Sequence, residues 1–175
     1  MPSSDPITPA FERLRDRLLG TAYGILGHRE DARDAVQDAY VKCWRARETA
    51  TGNLEAWIFM VLLNASRDLR RRRTIRRMAP LSVDEAMRPD SQAPDPIELA
   101  DRRDRVARVR VAIRDLPETE REVFLLRQNA ELTFTAIAEV LGAPVGTVKT
   151  RMRSALRRLR LVLVPAPAAL KGAPR

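Results

Sequence analysis

The stretch TFTAIAEVLGAPVGTVKTRMRSALRRL, from Thr133 to Leu159, decides the fold of the C-terminal part of the chain. Thr133 suits the N-cap of a helix, and Gly142 suits the left-handed residue that ends one. Pro144 fits the first turn of a second helix, where its missing N–H costs little. The sequence therefore predicts a short helix, a tight corner and a longer helix, which together form a helix-turn-helix.

The spacing of apolar residues predicts the buried face of each helix in this stretch. They recur at intervals of three and four, and they are Phe134, Ile137, Ala138 and Leu141, then Val148, Met152, Ala155, Leu156 and Leu159. The outer face of the second helix carries Lys149, Thr150, Arg153, Ser154 and Arg157. A face of basic and hydroxyl side chains favours insertion into the DNA major groove. The alternative is an ordinary helical hairpin whose cationic face is solvated.

The composition predicts an all-α protein with a polyanionic partner. Aromatic residues make up 5% of the 175 residues, glycine is scarce, and alternating β-branched runs are few. The formal net charge is +9 and the sequence pI is near 11.0, which is typical of nucleic-acid binding. Residues 54–79 carry a net +5, residues 80–100 a net −4 and residues 132–175 a net +7. Two basic blocks indicate two separate contacts with nucleic acid.

Two helices are predicted before residue 46. The first starts at Asp5-Pro6 or Thr8-Pro9 and ends at Gly27, and its apolar stripe is Phe11, Leu14, Leu18, Ala22 and Ile25. The second runs from about Arg29 to Arg45, and its inward residues are Ala32, Ala35, Val36, Ala39, Tyr40 and Cys43. Its outer face carries Asp31, Asp34, Gln37 and Asp38. This acidic face is either solvated or a docking surface for a basic partner protein.

A third helix, from about Leu54 to Arg73, ends in a run of arginines. Its broad apolar face is expected to be buried. Seven arginines lie within the eleven residues from Arg67 to Arg77. Basic charge is favourable at a helix C-terminus, but so many arginines exceed what a helix end needs. Contact with phosphates is the better explanation.

These patterns divide the chain into two small helical domains, residues 1–78 and 96–164, each near the lower size limit for an independent core. Residues 79–95 are rich in proline and acid, which predicts a flexible acidic linker. The next helix starts at Asp95-Pro96, and its predicted inward face is Leu99, Val106, Val109, Ile113 and Leu116. Residues 165–175 predict a disordered tail.

Several classes of function are disfavoured. The sequence has no phosphate-binding glycine loop, no metal-ligand spacing and no Ser-His-Asp or Cys-His set, so we expect neither an enzyme nor a cofactor. The single cysteine, Cys43, lies on an apolar stripe and is expected to be a buried, unreactive thiol. We expect no secretory signal, and the apolar run Ala56 to Leu63 is too short to span a bilayer. These features predict a cytoplasmic protein.

Four stretches together resemble a known family. DARDAVQDAYVKCWRA, from Asp31 to Ala46, and NLEAWIFMVLLNASRDLRRR, from Asn53 to Arg72, are similar to two helices of region 2 in bacterial sigma factors. LPETEREVFLL and PVGTVKTRMRSALRRLR are similar to region 4. Nothing between these blocks resembles region 3. This layout resembles the extracytoplasmic-function, or group 4, sigma factors of the sigma-70 family.

The resemblance implies a transcription initiation factor that binds core RNA polymerase and promoter DNA. The acidic face would contact the clamp helices of the β′ subunit, the β flap is implied as a further polymerase contact, and an anti-sigma protein is implied as a partner. The acidic linker would thread into the RNA path of the core enzyme. The core-binding residues so implied are Asp31, Asp34, Gln37 and Asp38.

The resemblance also assigns the DNA contacts. Those implied for the −10 element are Thr51, Asn53, Trp57, Asn64, Arg67, Arg70 and Arg71. Those implied for the −35 element are Thr147, Lys149, Thr150, Arg151, Arg153, Ser154 and Arg157, of which Arg151 and Arg157 are expected on phosphates. The chain departs from the family at Met60, where a basic residue is common, and in its −10 loop, which lacks an aromatic residue before Trp57.

Two other functions stay open from the sequence. A stand-alone regulator would bind an operator as a dimer through the same helix-turn-helix, but it would leave the acidic face and the arginine run unexplained. A sigma-mimicking adaptor would titrate an anti-sigma protein instead of binding promoters, and it would not need a basic recognition helix.

Overall fold

The computed structural model describes residues 5–50, 52–78 and 96–164, without the side chains of 76–78 and 96–103. Within these ranges the chain forms helices and no strand, as the all-α prediction requires. The predicted linker 79–95, the predicted tail 165–175 and Thr51 lie outside the described residues, as do the side chains of Arg76 and Arg77.

The N-terminal domain consists of α1 (Ile7–Leu26), α2 (Arg29–Arg45) and α3 (Leu54–Met78), with a single 3₁₀ turn at Arg47–Thr49 before α3. The whole predicted stripe of α1 is buried. Gly27 ends α1 with a left-handed φ of 76°, a conformation that glycine adopts without strain. The bounds of α2 are those predicted, whereas α3 extends beyond the predicted Arg73.

The C-terminal domain consists of α4 (Pro96–Arg114), α5 (Glu118–Gln128), α6 (Phe134–Leu141) and α7 (Val145–Leu163). The predicted corner of the helix-turn-helix is confirmed. The Thr133 hydroxyl oxygen accepts a hydrogen bond from the Ala136 N–H at 3.1 Å, which caps α6. Gly142 is left-handed, with φ of 58°, and Pro144 immediately precedes α7.

Two predictions about buried faces are wrong. Leu156, predicted to face inward, is 46% exposed. The reason is that the buried face of α7 is narrower than predicted and consists of Val148, Met152, Ala155 and Leu159. In α4, Val106 and Val109 are exposed. The reason is that α7 packs near the end of α4: Ala112, the one buried residue among the described side chains of α4, and Leu116, just after the helix, pack with Ala155 and Leu159 of α7.

The two domains pack against each other through α5 and α6 of one and α1 and α3 of the other. Buried residues from both domains, among them Leu18 and Phe59 on one side and Leu125 and Ile137 on the other, form a single hydrophobic cluster. The sequence predicted two small cores and left the arrangement of the domains open. Sharing one core buries more apolar surface than either small domain could bury alone.

Candidate polymerase and promoter interfaces

The acidic face of α2 is open to solvent. Asp34, Gln37 and Asp38 are exposed, and their spacing of three and four residues places them on one side of the helix. Asp38 forms an ion pair with Lys42 at 2.8 Å, one turn further along the same helix. Asp31, in contrast, is half-buried and accepts a hydrogen bond from Arg73 of α3 at 2.5 Å. Three of the four predicted core-binding residues are therefore accessible together.

Two apolar residues that the sequence analysis did not consider extend this face. Val41 is 36% exposed and Trp44 is 44% exposed. Val41 lies seven residues after Asp34, which is two helical turns, so both side chains share one side of α2. The Arg47 guanidinium stacks on the Trp44 ring at 4.6 Å from its centre, a cation–π contact. The helical period from Asp34 could have identified Val41 as a surface residue.

The recognition helix α7 presents a basic face. Lys149, Thr150, Arg153 and Arg157 are exposed, and in the described part of the chain no ion pair to Lys149, Arg153 or Arg157 is found. Buried Val148 and Met152 hold the opposite face against the rest of the domain. The positive charges of this face are therefore exposed to solvent and not paired with a carboxylate of the described residues.

The other three residues predicted for the −35 element are less exposed to solvent. Thr147 and Arg151 are half-buried. The Ser154 hydroxyl donates a hydrogen bond to Glu120 Oε1 of α5 at 2.9 Å, so it faces α5 in this structure. The spacing of apolar residues placed Ser154 on the outer face and could not reveal a partner that lies 34 residues earlier. The role of Ser154 at a base edge stays a prediction.

Two predicted −10 residues lie at the start of α3: Asn53 immediately precedes the helix, and Trp57 is in its first turn. The Asn53 side chain caps α3 by accepting a hydrogen bond from the Ala56 N–H at 3.1 Å. Trp57 is half-buried and packs against the shared core. A cavity of about 170 Å³ lies beside these residues, and Glu139 and Val140 of α6 form its other wall. The helix-turn-helix domain thus adjoins the segment predicted to read the −10 element.

The arginines near the end of α3 differ in their partners. Arg67 donates two hydrogen bonds to Glu122 of α5, from Nε to Oε1 at 2.7 Å and from Nη2 to Oε2 at 2.6 Å. These hydrogen bonds raise the pKa of the Arg67 guanidinium above its usual range. Arg70 pairs with Glu118 of α5. Arg71 is 76% exposed and lies 3.4 Å from Asp68 of its own helix.

Four of the predicted −10 residues are thus brought close together along α3. A cavity of about 620 Å³ is lined by Asn64, Arg67, Arg70 and Arg71, with Glu118 on the opposite side. Asn64 is exposed. A positively charged groove of this kind is suited to the backbone of a single DNA strand, but two of its arginines, Arg67 and Arg70, are bound to carboxylates of α5 in this structure.

We also searched the described part of the chain for a metal site, a membrane-spanning helix and a reactive thiol. No group of three or more His, Cys, Asp or Glu residues there could hold a metal ion, and none of the described helices has an apolar segment that could span a bilayer. Cys43 is fully buried, as predicted. Burial raises the pKa of its thiol to about 12.

Two family profiles match the chain. The sigma-70 region 2 profile matches residues 10–75, and the sigma-70 region 4 profile matches residues 112–161. The ECF RNA polymerase sigma factor RpoE of Cereibacter sphaeroides is 32% identical over 133 residues, which cover 74% of this chain and 70% of RpoE. The chain belongs to the ECF sigma factors of the sigma-70 family. Helices α1–α3 thus carry region 2, and region 4 begins near the end of α4.

Longer relatives match over nearly the whole chain. SigE of Mycolicibacterium smegmatis is 28% identical over 161 residues, covering 91% of this chain and 61% of SigE. SigJ of Mycobacterium tuberculosis is 28% identical over 167 residues, covering 94% of this chain and 52% of SigJ. The chain therefore spans between half and two thirds of the length of these two sigma factors.

Two solved structures have the same fold as this chain. CnrH, in a complex with the cytosolic domain of CnrY, matches with a TM-score of 0.68 and 26% identity over 90% of this chain and 86% of CnrH. RpoE of Bartonella quintana, in a complex with the anti-sigma factor NepR, matches with a TM-score of 0.68 and 22% identity over 90% of this chain and 97% of that one. The second likeness shows the fold alone.

Proposed function

We propose that this protein binds core RNA polymerase and directs promoter-specific transcription initiation through the −35 and −10 elements. The observation that carries the proposal is the presence, in one ECF sigma chain, of an exposed acidic face on α2 and an exposed basic face on α7. A stand-alone DNA-binding regulator would need the second face and would have no use for the first.

The acidic face of α2 is the proposed docking surface for the clamp helices of the polymerase β′ subunit. Asp34, Gln37 and Asp38 are its polar contacts, and exposed Val41 adds apolar area in the same line. Charged residues around a small apolar centre suit a specific and reversible protein interface. Asp31, which is bound to Arg73, would support α2 from its side. The β flap is the second proposed polymerase contact, through region 4.

The basic face of α7 is the proposed reader of the −35 element. Lys149, Thr150 and Arg153 are exposed and would reach base edges, while Arg157 would bind a phosphate. Arg151 and Thr147, which are half-buried, would contact the DNA backbone at the edge of this face. These contacts hold the duplex and fix its register.

The start of α3 and its arginines are the proposed site for the −10 element. Asn53 and Trp57 lie at the start of the helix, with Thr51 just before it, and would hold bases of the opened strand. Asn64 and the arginines Arg67, Arg70 and Arg71 would guide the backbone of that strand. The polymerase, not this protein, would catalyse nucleotide addition with its own Mg²⁺, so we propose no catalytic residue and no cofactor here.

An anti-sigma protein is a proposed further partner. The support is that CnrH and the Bartonella quintana RpoE, which share this fold, were each solved with a bound protein, CnrY and the anti-sigma factor NepR. We also propose a cytoplasmic location, because polymerase and promoter DNA are found there.

Binding to core polymerase tests the proposal directly. Asp34→Arg with Asp38→Arg reverses two exposed charges and is expected to abolish both capture by purified bacterial core polymerase and transcription from a pool of genomic DNA fragments. Glu12→Arg with Asp16→Arg is the matched control, because these acids are also exposed and also four residues apart, but on α1. Equal activity of the two double variants would contradict the assigned face. Tight duplex binding without any capture by core would instead favour a stand-alone regulator.

A further inference from the structure

A carboxylate of α5 binds one side of the recognition helix α7. The Ser154 hydroxyl donates a hydrogen bond to Glu120 Oε1 at 2.9 Å, and Arg158 Nε forms an ion pair with Glu120 Oε2 at 3.0 Å. Glu120 lies in the first turn of α5, and its side chain is 13% exposed. The two oxygens of one largely buried carboxylate thus contact two different side chains of α7.

The side of α7 that meets Glu120 is distinct from its buried face and from its basic face. Ser154 and Arg158 are four residues apart, so they lie on the same side of the helix. At 3.6 residues per turn, this side is about 100° of rotation from the centre of the buried face and about 100° from the centre of the basic face. The Glu120 contacts therefore hold α7 at the border between the two faces, where a rotation of the helix about its axis would stretch them.

Apolar packing and polar contacts constrain this rotation differently. The hydrophobic effect follows the buried area and has no preferred direction, whereas a hydrogen bond weakens steeply when its angle is poor. A rotation of about 20° would move an atom that lies about 6 Å from the helix axis by about 2 Å. A displacement of that size breaks a hydrogen bond to a base edge, so the rotation of α7 decides whether its basic face reads bases.

The arginines of α7 consequently have different surroundings. Glu120 Oε2 is buried and accepts no hydrogen bond from the described residues, so its charge is compensated by Arg158. Arg153 and Arg157 are exposed, and within the described ranges neither has an ion pair with a carboxylate. Arg158 thus connects α7 to α5, while Arg153 and Arg157 are left to the proposed DNA contacts.

We propose that Glu120 is a positioning residue for the −35 element, which fixes the rotation of α7 through Ser154 and Arg158 and thereby sets how well the basic face discriminates between base sequences. The inference rests on the proposed function, because it assigns the source of specificity at the same −35 site. Glu120 makes no contact with DNA in this role. Ser154 acts through Glu120 and not at a base edge, which differs from the role expected from the sequence.

Transcription from a promoter library measures this discrimination. The whole chain and purified bacterial core polymerase would be given one promoter mapped with the wild type, with its −35 element randomised and each version marked by a barcode in the transcript. Glu120→Ala is expected to lower the preference for the best −35 element over its single-base variants about tenfold, which is within the range for one base-edge contact. A change in net charge affects all versions alike, so it does not alter this preference.

Ser154→Ala distinguishes action through Glu120 from direct contact with a base. We expect a loss of preference of about threefold, spread over the base pairs that Lys149 and Arg153 read, and no further loss when Ser154→Ala is added to Glu120→Ala. Ser154→Thr keeps the hydroxyl and should restore the preference. A loss that is confined to one base pair, and that adds to the loss in Glu120→Ala, would overturn the inference and make Ser154 a base contact.

Two further variants control for charge and for folding. Asp115→Ala removes an exposed carboxylate just before α5 and should leave the preference unchanged. Glu120→Gln keeps an acceptor for Ser154 and should lose less preference than Glu120→Ala. Thermal unfolding of each variant is measured beside the library. A lower melting temperature of Glu120→Ala with the wild-type preference would show that Glu120 only stabilises the domain, which overturns its positioning role.

The outcomes separate this inference from the proposed function. If Glu120→Ala did not fold, Ser154→Ala would decide, because it removes a single oxygen and alanine favours a helix. A wild type that initiates at discrete promoters, with Ser154→Ala as selective as the wild type, would overturn the inference and leave the sigma-factor function intact. A wild-type protein that gives no transcripts with core polymerase would overturn the proposed function and this inference with it.

Discussion

The basic face of α7 and the arginines of α3 look alike in the sequence but differ in the folded protein. Lys149 and Arg153 are exposed. Arg67 and Arg70 are bound to Glu122 and Glu118, which lie 55 and 48 residues further along the chain. A run of positive charge in a sequence therefore identifies a region that can bind DNA, but it does not tell whether that region is free to do so. That depends on which acidic residues the fold brings to it.

The largest expected difference between the two regions concerns DNA affinity. Lys149→Ala with Arg153→Ala should weaken binding to the −35 element by about 2–6 kcal/mol, at about 1–3 kcal/mol for each contact. The free energy of unfolding should change by less than about 0.5 kcal/mol, because both side chains are exposed. Fluorescence anisotropy with a duplex and urea unfolding measure the two effects. Arg13→Ala with Arg15→Ala, which removes two exposed charges from α1, is the control.

For α3 we expect an effect on stability. Arg67→Ala leaves the buried Glu122 carboxylate without its partner, and an uncompensated buried charge costs about 3 kcal/mol. Arg71→Ala is the control, because Arg71 is 76% exposed and its pair with Asp68 at 3.4 Å is worth less than about 1 kcal/mol. Urea unfolding should therefore separate two arginines that lie only one turn apart. Equal midpoints for the two variants would show that the contact with α5 does not persist in solution.

Thr133 connects the two regions, because it caps α6, which supports α7 on one side and covers the start of α3 on the other. Thr133→Ala removes the acceptor for the Ala136 N–H and should cost about 1 kcal/mol of stability. Thr133→Ser keeps an acceptor and should restore most of it. Thermal unfolding followed by circular dichroism compares the three proteins. Equal melting temperatures for the alanine and serine variants would show that the Thr133 cap does not stabilise the protein.

The smallest expected effect is a change in the rate at which the Cys43 thiol is labelled, which reports how often the N-terminal core opens. Burial raises the pKa of the Cys43 thiol from 9.0 to about 12, so the reactive thiolate should stay scarce until the pH is well above 9. Labelling by iodoacetamide at pH 8 should be slow in the wild type and in Lys149→Ala with Arg153→Ala. It should be faster in Arg67→Ala, because a less stable core opens more often. Equal rates in all three would contradict a stabilising role for the Arg67 pair.

Local signals in the sequence predicted most of the helices correctly. The cap at Thr133, the left-handed Gly142 and the apolar stripe of α1 each depend on residues within a few positions of one another. The faces of α4 were predicted less well, because a stripe such as Val106 and Val109 is buried only if another helix reaches it, and here α7 packs on the last turns of α4.

The sequence indicated which residues form the candidate sites, but it indicated less well which of them are accessible in the folded protein. The acidic face of α2 could be read from a spacing of three and four, and its exposure follows from the buried alanines opposite. The engagement of Arg67, Arg70 and Ser154 could not be read in this way, because their partners in α5 are distant in the sequence. The contact between the domains depends on small features such as Gly24 opposite Leu125, which no periodic pattern marks.

Mapping the 5′ ends of transcripts would show whether this protein directs promoter-specific initiation. The protein would be mixed with purified bacterial core RNA polymerase and a pool of genomic DNA fragments, and the transcripts would be sequenced from their 5′ ends. We expect discrete start sites that share one −35 and −10 pair, that vanish without the protein, and that are lost in the double variant Asp34→Arg with Asp38→Arg. Start sites that are the same with and without the protein would contradict this expectation.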